Sequence, residues 1–305
     1  MPIKDLSEYT SQSIESILNQ SYQNFELIII IDGDKNIIIN FLNINYYNEI
    51  KSSKIIILIN EFNLGVTKSL NIGIKNSKGK YIARNDSDDI SHNDRIIKQL
   101  AFIESNPNYK IVACEFRIIN KNQKVLKHKK IKNLEKNKLF NYLNPIAHSS
   151  VMFTKKFIEE LNYYDENMYT SQDFELWSKA FILKPKCIGI MHKVYVDIRV
   201  HKKSISYNNE LIQKKNSVLI CMRNRYPSKN SFFINQKLDY LYLHKNTLLS
   251  PDMLIDFEAL TFCYIGYNNF SIKGLSRLLL LIKIIKIYLF HKGLALNSIK
   301  TVFIK

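Results

Sequence analysis

The sequence predicts an α/β fold in which a mixed, mostly parallel sheet is flanked by helices and followed by a helical C-terminal region. In the first half of the chain, short β-branched runs alternate with segments of helical periodicity, as they do when helices join parallel strands. The 305 residues are 46% hydrophobic, which suffices for one sizeable core and a smaller appendage. We therefore expect a main domain over residues 1–207 and a helical region over residues 208–305.

Four isoleucine-rich or otherwise apolar runs in the first half predict buried strands. They are Glu26–Ile31, Lys54–Ile59, Lys80–Arg84 and Lys110–Cys114. Between them, Ser11–Asn19 and Asp94–Glu104 place apolar residues on one helical face, which predicts two helices that cover the sheet.

After Cys114 the pattern changes, and the sheet is expected to become mixed. Phe116–Lys129 contains two short runs around Asn120–Gln123, which is typical of a hairpin. The remaining predicted elements are a strand at Ser149–Phe153, a helix at Ser171–Phe181, strands near Ile188 and at Val194–Val200, and C-terminal helices at Leu211–Arg225, Asp252–Tyr264 and Leu275–Phe290.

The strongly basic composition indicates an anionic partner. Lys and Arg number 44 against 27 Asp and Glu, which gives a net charge of +17. The lysines are scattered, without the basic blocks of nucleic-acid readers, so we expect phosphate or an anionic membrane and no nucleic acid.

The cysteines and the apolar segments of the chain predict its cellular compartment. Cys114, Cys187, Cys221 and Cys263 lack metal-ligand or disulfide spacing, which fits a reducing cytoplasm. The chain opens without an apolar leader segment, and its most apolar run, Leu278–Phe290, is too short to span a bilayer. Because lysines surround that run, it either lies on the inner leaflet of the membrane or packs as an ordinary helix.

The acidic cluster Asp86–Asp89 is the sharpest chemical signal. It places three carboxylates in four positions after the Lys80–Arg84 strand, at the sheet edge where α/β proteins bind ligands. Asp86 and Asp88 are two residues apart, so an extended backbone would direct both side chains to the same side. Such a pair suits Mg²⁺ or Mn²⁺ with phosphate oxygens as further ligands. The alternative is a polar turn that caps the next helix.

Three weaker signals accompany this cluster. Asp32 follows the Glu26–Ile31 strand, where it could bind a nucleobase or ribose or simply form a turn with Gly33. Asp173 opens a helix and could be a general base, or a charge that the helix dipole favours. Arg199 and His201 end a strand, where they could hold phosphate oxygens and a metal, although single histidines are more often structural.

In order and spacing, these motifs resemble the family 2 inverting nucleotide-sugar glycosyltransferases, which have the GT-A fold. The resemblance runs from Met1 to about Ser206. It rests on Ser16–Leu27, Asn63–Gly65, Leu70–Gly73, Lys78–Arg84, Asp86–Asp89, His148–Phe153, Gln172–Asp173 and Arg199–His201.

The resemblance implies a role for each motif residue. Asp86, Asp88 and His201 would hold a divalent cation, Mn²⁺ or Mg²⁺, on the diphosphate of a nucleotide-sugar donor. Asp173 would be the catalytic base. The residues assigned to donor or nucleotide binding are Asp32, Arg84, Asp86 and Arg199. The acceptor would be a glycan or lipid-linked hydroxyl in the synthesis of a bacterial surface polysaccharide, such as capsule, lipopolysaccharide, lipooligosaccharide or O-antigen.

The sequence departs from the family pattern at two places that leave other functions open. Met1–Ile3 stands where the first strand of the family ends, so that strand is expected to be truncated. Ile31 occupies the position of the first of two family aspartates. A non-catalytic nucleotide- or glycan-binding relative is therefore one alternative. A nucleotidyltransferase is another, although the chain lacks a glycine-rich phosphate loop with a lysine near its N-terminus.

Overall fold

The computed structural model describes residues 1–131 and 144–201, together with a few positions between 212 and 221 that are helical. The chain divides into two compact units, of which the first comprises Met1–Phe140 and Asn144–Glu210. The second comprises Asn141–Leu143 and Leu211–Lys305. The predicted helices Asp252–Tyr264 and Leu275–Phe290 lie outside the described residues, as does most of Leu211–Arg225. The predicted boundary between residues 207 and 208 stays a prediction.

The first unit contains the strands and helices that position the site. Its strands are β1 Pro2–Ile3, β2 Leu27–Ile31, β3 Ile55–Ile59, β4 Tyr81–Ala83, β5 Ile90–Ser91, β6 Ile111–Ile119, β7 Val125–Lys129, β8 Val151–Thr154 and β9 Ile188–Arg199. Its α-helices are α1 Thr10–Leu18, α2 Lys35–Asn45, α3 Tyr47–Lys51, α4 Val66–Asn76, α5 Arg95–Glu104, α6 Lys155–Glu160 and α7 Gln172–Leu183. A 3-10 helix, His148–Ser150, precedes β8.

The N-terminal strands form a parallel sheet in the order β1-β2-β3. Ile29, Ile30 and Ile31 of β2 are at most 2% exposed, because helices cover both faces of this strand. Ile14 of α1 and Ile38 of α2 share one core cluster with Ile29 and Ile31. On the other face, a Cβ at Gly73 would lie 2.8 Å from the Ile30 Cδ1 atom, so glycine lets α4 approach β2 closely.

The other strands form a mixed sheet in the order β4-β8-β6-β9-β5, and β7 pairs with β6. The long strand β6 lies parallel to β9 but antiparallel to β7 and β8, which confirms both the predicted hairpin and the predicted change to mixed pairing. Strand β4, which follows helix α4, is antiparallel to β8 and only partly buried, whereas the sequence predicted a buried strand.

The first strand consists of two residues, Pro2 and Ile3, which pair with Ile30 and Ile31 in parallel register. Within the part of the chain that the structure describes, no helix combines the length and apolar character needed to cross a bilayer.

Candidate functional site

The predicted site residues follow β2 or β4, lie at or just after the end of β9, or, in the case of Asp173, lie in α7. The Ser149 hydroxyl donates to Asp86 Oδ2 over 2.9 Å. His201 and Asp88 are in contact, and the backbone N–H of Arg199 donates to Asp89 Oδ1 over 2.9 Å. The structure thus brings the acidic loop, the turn before β8 and the end of β9 together.

Asp86 is an ionised carboxylate held by its own strand end and by the 3-10 helix. Its Oδ1 atom accepts a hydrogen bond from Arg84, and its Oδ2 atom accepts one from Ser149. Burial would raise the pKa of Asp86, but the charge of Arg84 and the hydrogen bonds from Arg84 and Ser149 lower it to about 2. The side chain remains 39% exposed, so a ligand can reach it.

Asp88 lies in the second half of the acidic loop, and its carboxylate pairs with the imidazole of His201. His201 Nε2 lies 2.9 Å from Asp88 Oδ2, and the two side chains are 16% and 25% exposed. Burial, followed by the negative charge of Asp86, raises the pKa of Asp88 above that of an ordinary aspartate. A divalent cation bound nearby favours the charged form of such a carboxylate, because its positive charge offsets the effects of burial and of the Asp86 charge.

Asp89 differs from its neighbours because it is 3% exposed. Burial and the charges of Asp88 and Asp86 raise its pKa well above the ordinary range. Its bond from the Arg199 backbone N–H joins the acidic loop to β9. We therefore interpret Asp89 as a residue that fixes this loop.

Asp32 lies at the end of β2, as predicted, but its carboxylate is occupied by the protein. Oδ1 accepts hydrogen bonds from the Asn60 side chain and the Leu64 backbone N–H, at 2.7 and 2.8 Å. Oδ2 accepts one from the Gly65 N–H at 2.9 Å, and the residue is 4% exposed. The carboxylate therefore anchors the loop that leads into α4, where Gly65 has a φ of 84°. Next to it, a Cβ at Gly33 would lie 1.7 Å from the Lys4 carbonyl oxygen, so only glycine fits.

Arg199 likewise makes its hydrogen bonds within the protein. Its guanidinium donates to the carbonyl oxygens of Asp88, Asn120 and Lys121 and to the Gln12 side chain. The group also lies 4.3 Å from the centre of the Tyr9 ring, and the residue is 3% exposed. Arg199 thus connects the acidic loop, the β6–β7 hairpin turn and α1.

Asp173 lies in the first turn of α7, where the sequence placed it. Its Oδ2 atom accepts a hydrogen bond from the Asn144 side chain at 2.7 Å. Burial raises the pKa of Asp173 above the ordinary value, and the negative charge of Asp86 also raises it, so the two carboxylates interact electrostatically. A base with a raised pKa accepts a proton more readily.

His148 was matched to the family pattern without an assigned role, and the structure places it at the site. Its Nε2 atom lies 2.8 Å from the Tyr164 hydroxyl, and its ring packs edge-on against Tyr164 and Trp177. Burial and the Arg84 charge lower the pKa of His148 well below its ordinary value, so the imidazole is neutral at physiological pH. Sequence reasoning missed Tyr164 and Ser149, since only the fold brings them near Asp86.

The acidic loop offers part of a metal site. Within residues 1–131 and 144–201 and the few described positions beyond them, no three His, Cys, Asp or Glu side chains are grouped to hold a metal on their own. The Asp88 and His201 atoms that are 2.9 Å apart are an oxygen and a nitrogen, a donor set that suits Mn²⁺ better than Mg²⁺ when phosphate oxygens supply the other ligands. These residues therefore fit a cation that arrives with a diphosphate.

Sheets with covering helices and an acidic loop at a strand end are the arrangement expected of the GT-A glycosyltransferases. The chain belongs to glycosyl transferase family 2, whose sequence model matches residues 1–161. A relative, the O-antigen biosynthesis glycosyltransferase WbnJ of Escherichia coli, is 32% identical over 210 residues, which cover 67% of this chain and 79% of WbnJ.

Solved structures have the same fold. S. aureus TarS 1-349 in complex with UDP-GlcNAc matches with a TM-score of 0.60 at 14% identity, covering 94% of this chain and 79% of that one. GalNAc-T7 with UDP, GalNAc and Mn²⁺ matches with a TM-score of 0.55 at 14% identity, covering 72% and 46%. The sequence-model match confirms the predicted family, and these structural matches confirm the predicted GT-A fold.

Proposed function

We propose that this chain transfers a sugar, with inversion and with a divalent cation, from a nucleotide diphosphate donor to a hydroxyl of a glycan or lipid-linked acceptor. Membership of the family supports the transfer chemistry, and the name of WbnJ supports a role in a bacterial surface polysaccharide. The observation that carries the proposal is the 2.9 Å contact between Asp88 and His201, beside the ionised Asp86.

The donor side consists of the acidic loop and the residues that hold it. Asp86, which remains exposed, would contact the donor directly. Arg84, which is 4% exposed, would act through its bond to Asp86. Arg199 would act through its bond to the Asp88 carbonyl, and Asp32 would act through the loop that it anchors. A nucleotide-sugar donor is further supported by TarS, which was solved with UDP-GlcNAc.

Asp88 and His201 would hold the cation, with Asp86 beside them. When bound, the cation would neutralise the negative charge of the departing diphosphate. GalNAc-T7, solved with UDP and Mn²⁺, supports this cofactor. The Asp86–Arg84 pair would keep the loop in place whether or not the cation is bound.

Asp173 would act on the acceptor side. The acceptor oxygen forms a bond to the anomeric carbon, the bond from that carbon to the diphosphate oxygen breaks, and the hydroxyl proton passes to the Asp173 carboxylate. One displacement of this kind inverts the anomeric configuration. The hydrogen bond from Asn144 would hold the carboxylate in place before the acceptor binds.

A donor screen tests the proposal. The full chain is incubated with a panel of UDP- and GDP-sugars and with oligosaccharide or polyprenyl-phosphate-linked acceptors, with Mn²⁺, with Mg²⁺ or with EDTA. We expect cation-dependent release of nucleoside diphosphate and a product of inverted configuration by NMR. Nucleotide binding without turnover of any donor would favour a non-catalytic relative, and release of pyrophosphate would favour a nucleotidyltransferase.

We also propose that the lysine-rich segment Lys273–Lys292 brings the protein to the anionic inner face of the cell membrane, where a lipid-linked acceptor is found. Co-sedimentation with vesicles of anionic or of neutral lipid tests this. The full chain should bind the anionic vesicles only, and a chain truncated before Ser271 should not bind. Equal binding by the truncated chain would contradict the proposal.

A further inference from the structure

Helix α5 contributes two polar side chains that are completely buried, although no role has been assigned to them. Arg95 and Gln99 are both 0% exposed. They are four residues apart, so they lie on the same face of the helix. That face is directed at the residues that surround the acidic loop.

Arg95 uses all five N–H groups of its guanidinium in hydrogen bonds. The acceptors are Gln99 Oε1 at 3.0 Å, Asn85 Oδ1 at 3.2 Å, Ser91 Oγ at 2.8 Å, the Arg84 carbonyl at 2.7 Å and the Val151 carbonyl at 3.0 Å. None of these acceptors is a carboxylate. Burial lowers the pKa of Arg95 to about 10, so the group stays charged at neutral pH. Arg95 therefore binds both ends of the acidic loop and the start of β8.

Gln99 extends this network to the 3-10 helix. Its Oε1 atom accepts from Arg95, and its Nε2 atom donates to the Ser150 carbonyl at 2.8 Å. Ser150 directly follows Ser149, whose hydroxyl donates to Asp86 Oδ2 and accepts from the Asp86 N–H at 3.1 Å. Gln99 thus holds the His148–Ser150 turn in place, and Ser149 of that turn holds Asp86.

Asn85 connects the same network to α1. Its Oδ1 atom accepts from Arg95 and Ser91, while its Nδ2 atom donates to the Ser13 hydroxyl at 3.0 Å and to the Asp86 carbonyl at 2.8 Å. The Asp86 backbone is therefore held at its N–H by Ser149 and at its carbonyl by Asn85.

We propose that Arg95 and Gln99 are positioning residues that fix the Asp86–Asp89 loop against the His148–Ser150 turn, and so set the geometry of the donor site. The inference rests on the proposed function for its kinetic consequence. Buried charged side chains seldom make a core more stable than apolar ones would, because well-packed apolar side chains often stabilise it equally well. A network with all donors satisfied does, however, fix one arrangement of the groups that it joins.

The main test is Gln99→Met, which keeps the volume but removes both hydrogen bonds. Hydrogen exchange, measured by mass spectrometry on the protein without metal or donor, should increase in peptides covering Asp86–Ser91 and His148–Val151. With cation and donor present, kcat/KM should fall by roughly 10–100-fold, the loss typical of residues that orient a ligand. The donor KM should change less than kcat if the loop still binds but is misaligned.

Two further variants separate positioning from stability. Ile103→Ala, on the same helix and 3% exposed, should lower Tm without a selective increase in exchange in these two segments and with kcat/KM near the wild-type value. Gln99→Glu keeps an acceptor for Arg95 but loses the donor to Ser150. It should therefore impair activity and increase exchange in His148–Val151, even if Gln99→Met does not fold.

The inference is overturned if both Gln99 variants exchange like the wild type in the two segments, or if they lose no more activity than Ile103→Ala at the same loss of Tm. Absence of turnover by the wild-type chain would instead contradict the proposed function. The exchange measurement, which needs no substrate, would still decide whether the network orders the loop.

Discussion

Replacing Asp32 by asparagine distinguishes two roles for this residue. The sequence assigned Asp32 to nucleotide binding, whereas its carboxylate accepts three hydrogen bonds from Asn60, Leu64 and Gly65. If the residue anchors the loop before α4, Asp32→Asn must destabilise the fold. If it contacts the nucleotide, the same change should weaken donor binding without affecting stability.

The expected magnitude follows from the hydrogen bonds. An asparagine can keep its oxygen at the Oδ1 position, where Asn60 and Leu64 donate, but then its NH₂ group faces the Gly65 N–H. The charge-assisted bond to the Gly65 N–H is lost, although that N–H keeps Asn63 Oδ1 as an acceptor at 3.1 Å, and the new NH₂ group gains no acceptor there in a site that is 4% exposed. The cost is about 2–3 kcal/mol. For a domain of this size that lowers Tm by roughly 4–12 °C.

The assay is thermal unfolding of the full chain, with Asp34→Asn as the matched control. Asp34 is the exposed N-cap of α2, and asparagine is an equally good cap, so this control should keep the wild-type Tm. Donor KM is measured for both variants below their unfolding temperatures. A wild-type Tm for Asp32→Asn together with a large increase in donor KM would refute the anchoring role.

Three further predictions concern the acidic groups. Asp173→Asn should lower kcat by about 10²–10⁴-fold, while the nucleoside diphosphate of the donor found in the screen still raises Tm; an unchanged kcat would exclude the base role. Since the pKa of Asp173 is raised, the wild-type kcat should begin to fall, as the pH is lowered, before the pH reaches the ordinary pKa of an aspartate. Asp88→Ala should raise the Mn²⁺ concentration for half-maximal rate by at least roughly 10–100-fold, with Asp34→Asn as control; an unchanged Mn²⁺ dependence would remove Asp88 from the cation site. Hydrogen bonds from His92 and Arg117 outweigh burial and lower the pKa of Asp197 to about 2, so its stabilisation is complete above the ordinary aspartate pKa and disappears as pH falls through about 2. Asp197→Asn should therefore cost about 1–3 kcal/mol at neutral pH, and its Tm difference from the wild type should vanish in acid; a constant difference would contradict this linkage.

The sequence predicted the elements whose pattern is strong and local. The run of isoleucines in β2 and the bounds of helices α1 and α5 were predicted to within a residue or two. The predicted apolar face of α5 was wrong, because Ile97 is 41% exposed and the buried positions of this helix are Arg95, Ile96, Gln99 and Ile103. Helix α2, KNIIINFLNIN, was not singled out, because its isoleucines resemble a strand and its asparagines are poor helix formers. It forms because Asp34 caps it and because Ile38 and Leu42 pack into the core.

The site was predicted in part for a related reason. Motif order assigned Asp86, Asp88, Asp173 and His201 to the candidate site, since each stands next to a recognisable strand or helix end. The buried state of Asp32 and Arg199 could not be read from the sequence, because their partners Leu64, Gly65 and Gln12 are far along the chain. A charged side chain at a strand end thus identifies a site without revealing whether it faces the ligand or the protein.

Asp86 and Asp88 illustrate how the fold separates residues that the sequence treats alike. Both are aspartates of one loop, yet Arg84 and Ser149 lower the pKa of Asp86 to about 2, while burial and the Asp86 charge raise that of Asp88. Asp86 therefore remains negatively charged and is paired with Arg84, and of these two carboxylates Asp88 is the one whose charged form a bound metal cation would stabilise more. Because His201 and Ser149 come from distant elements, this division of roles exists only in the folded chain.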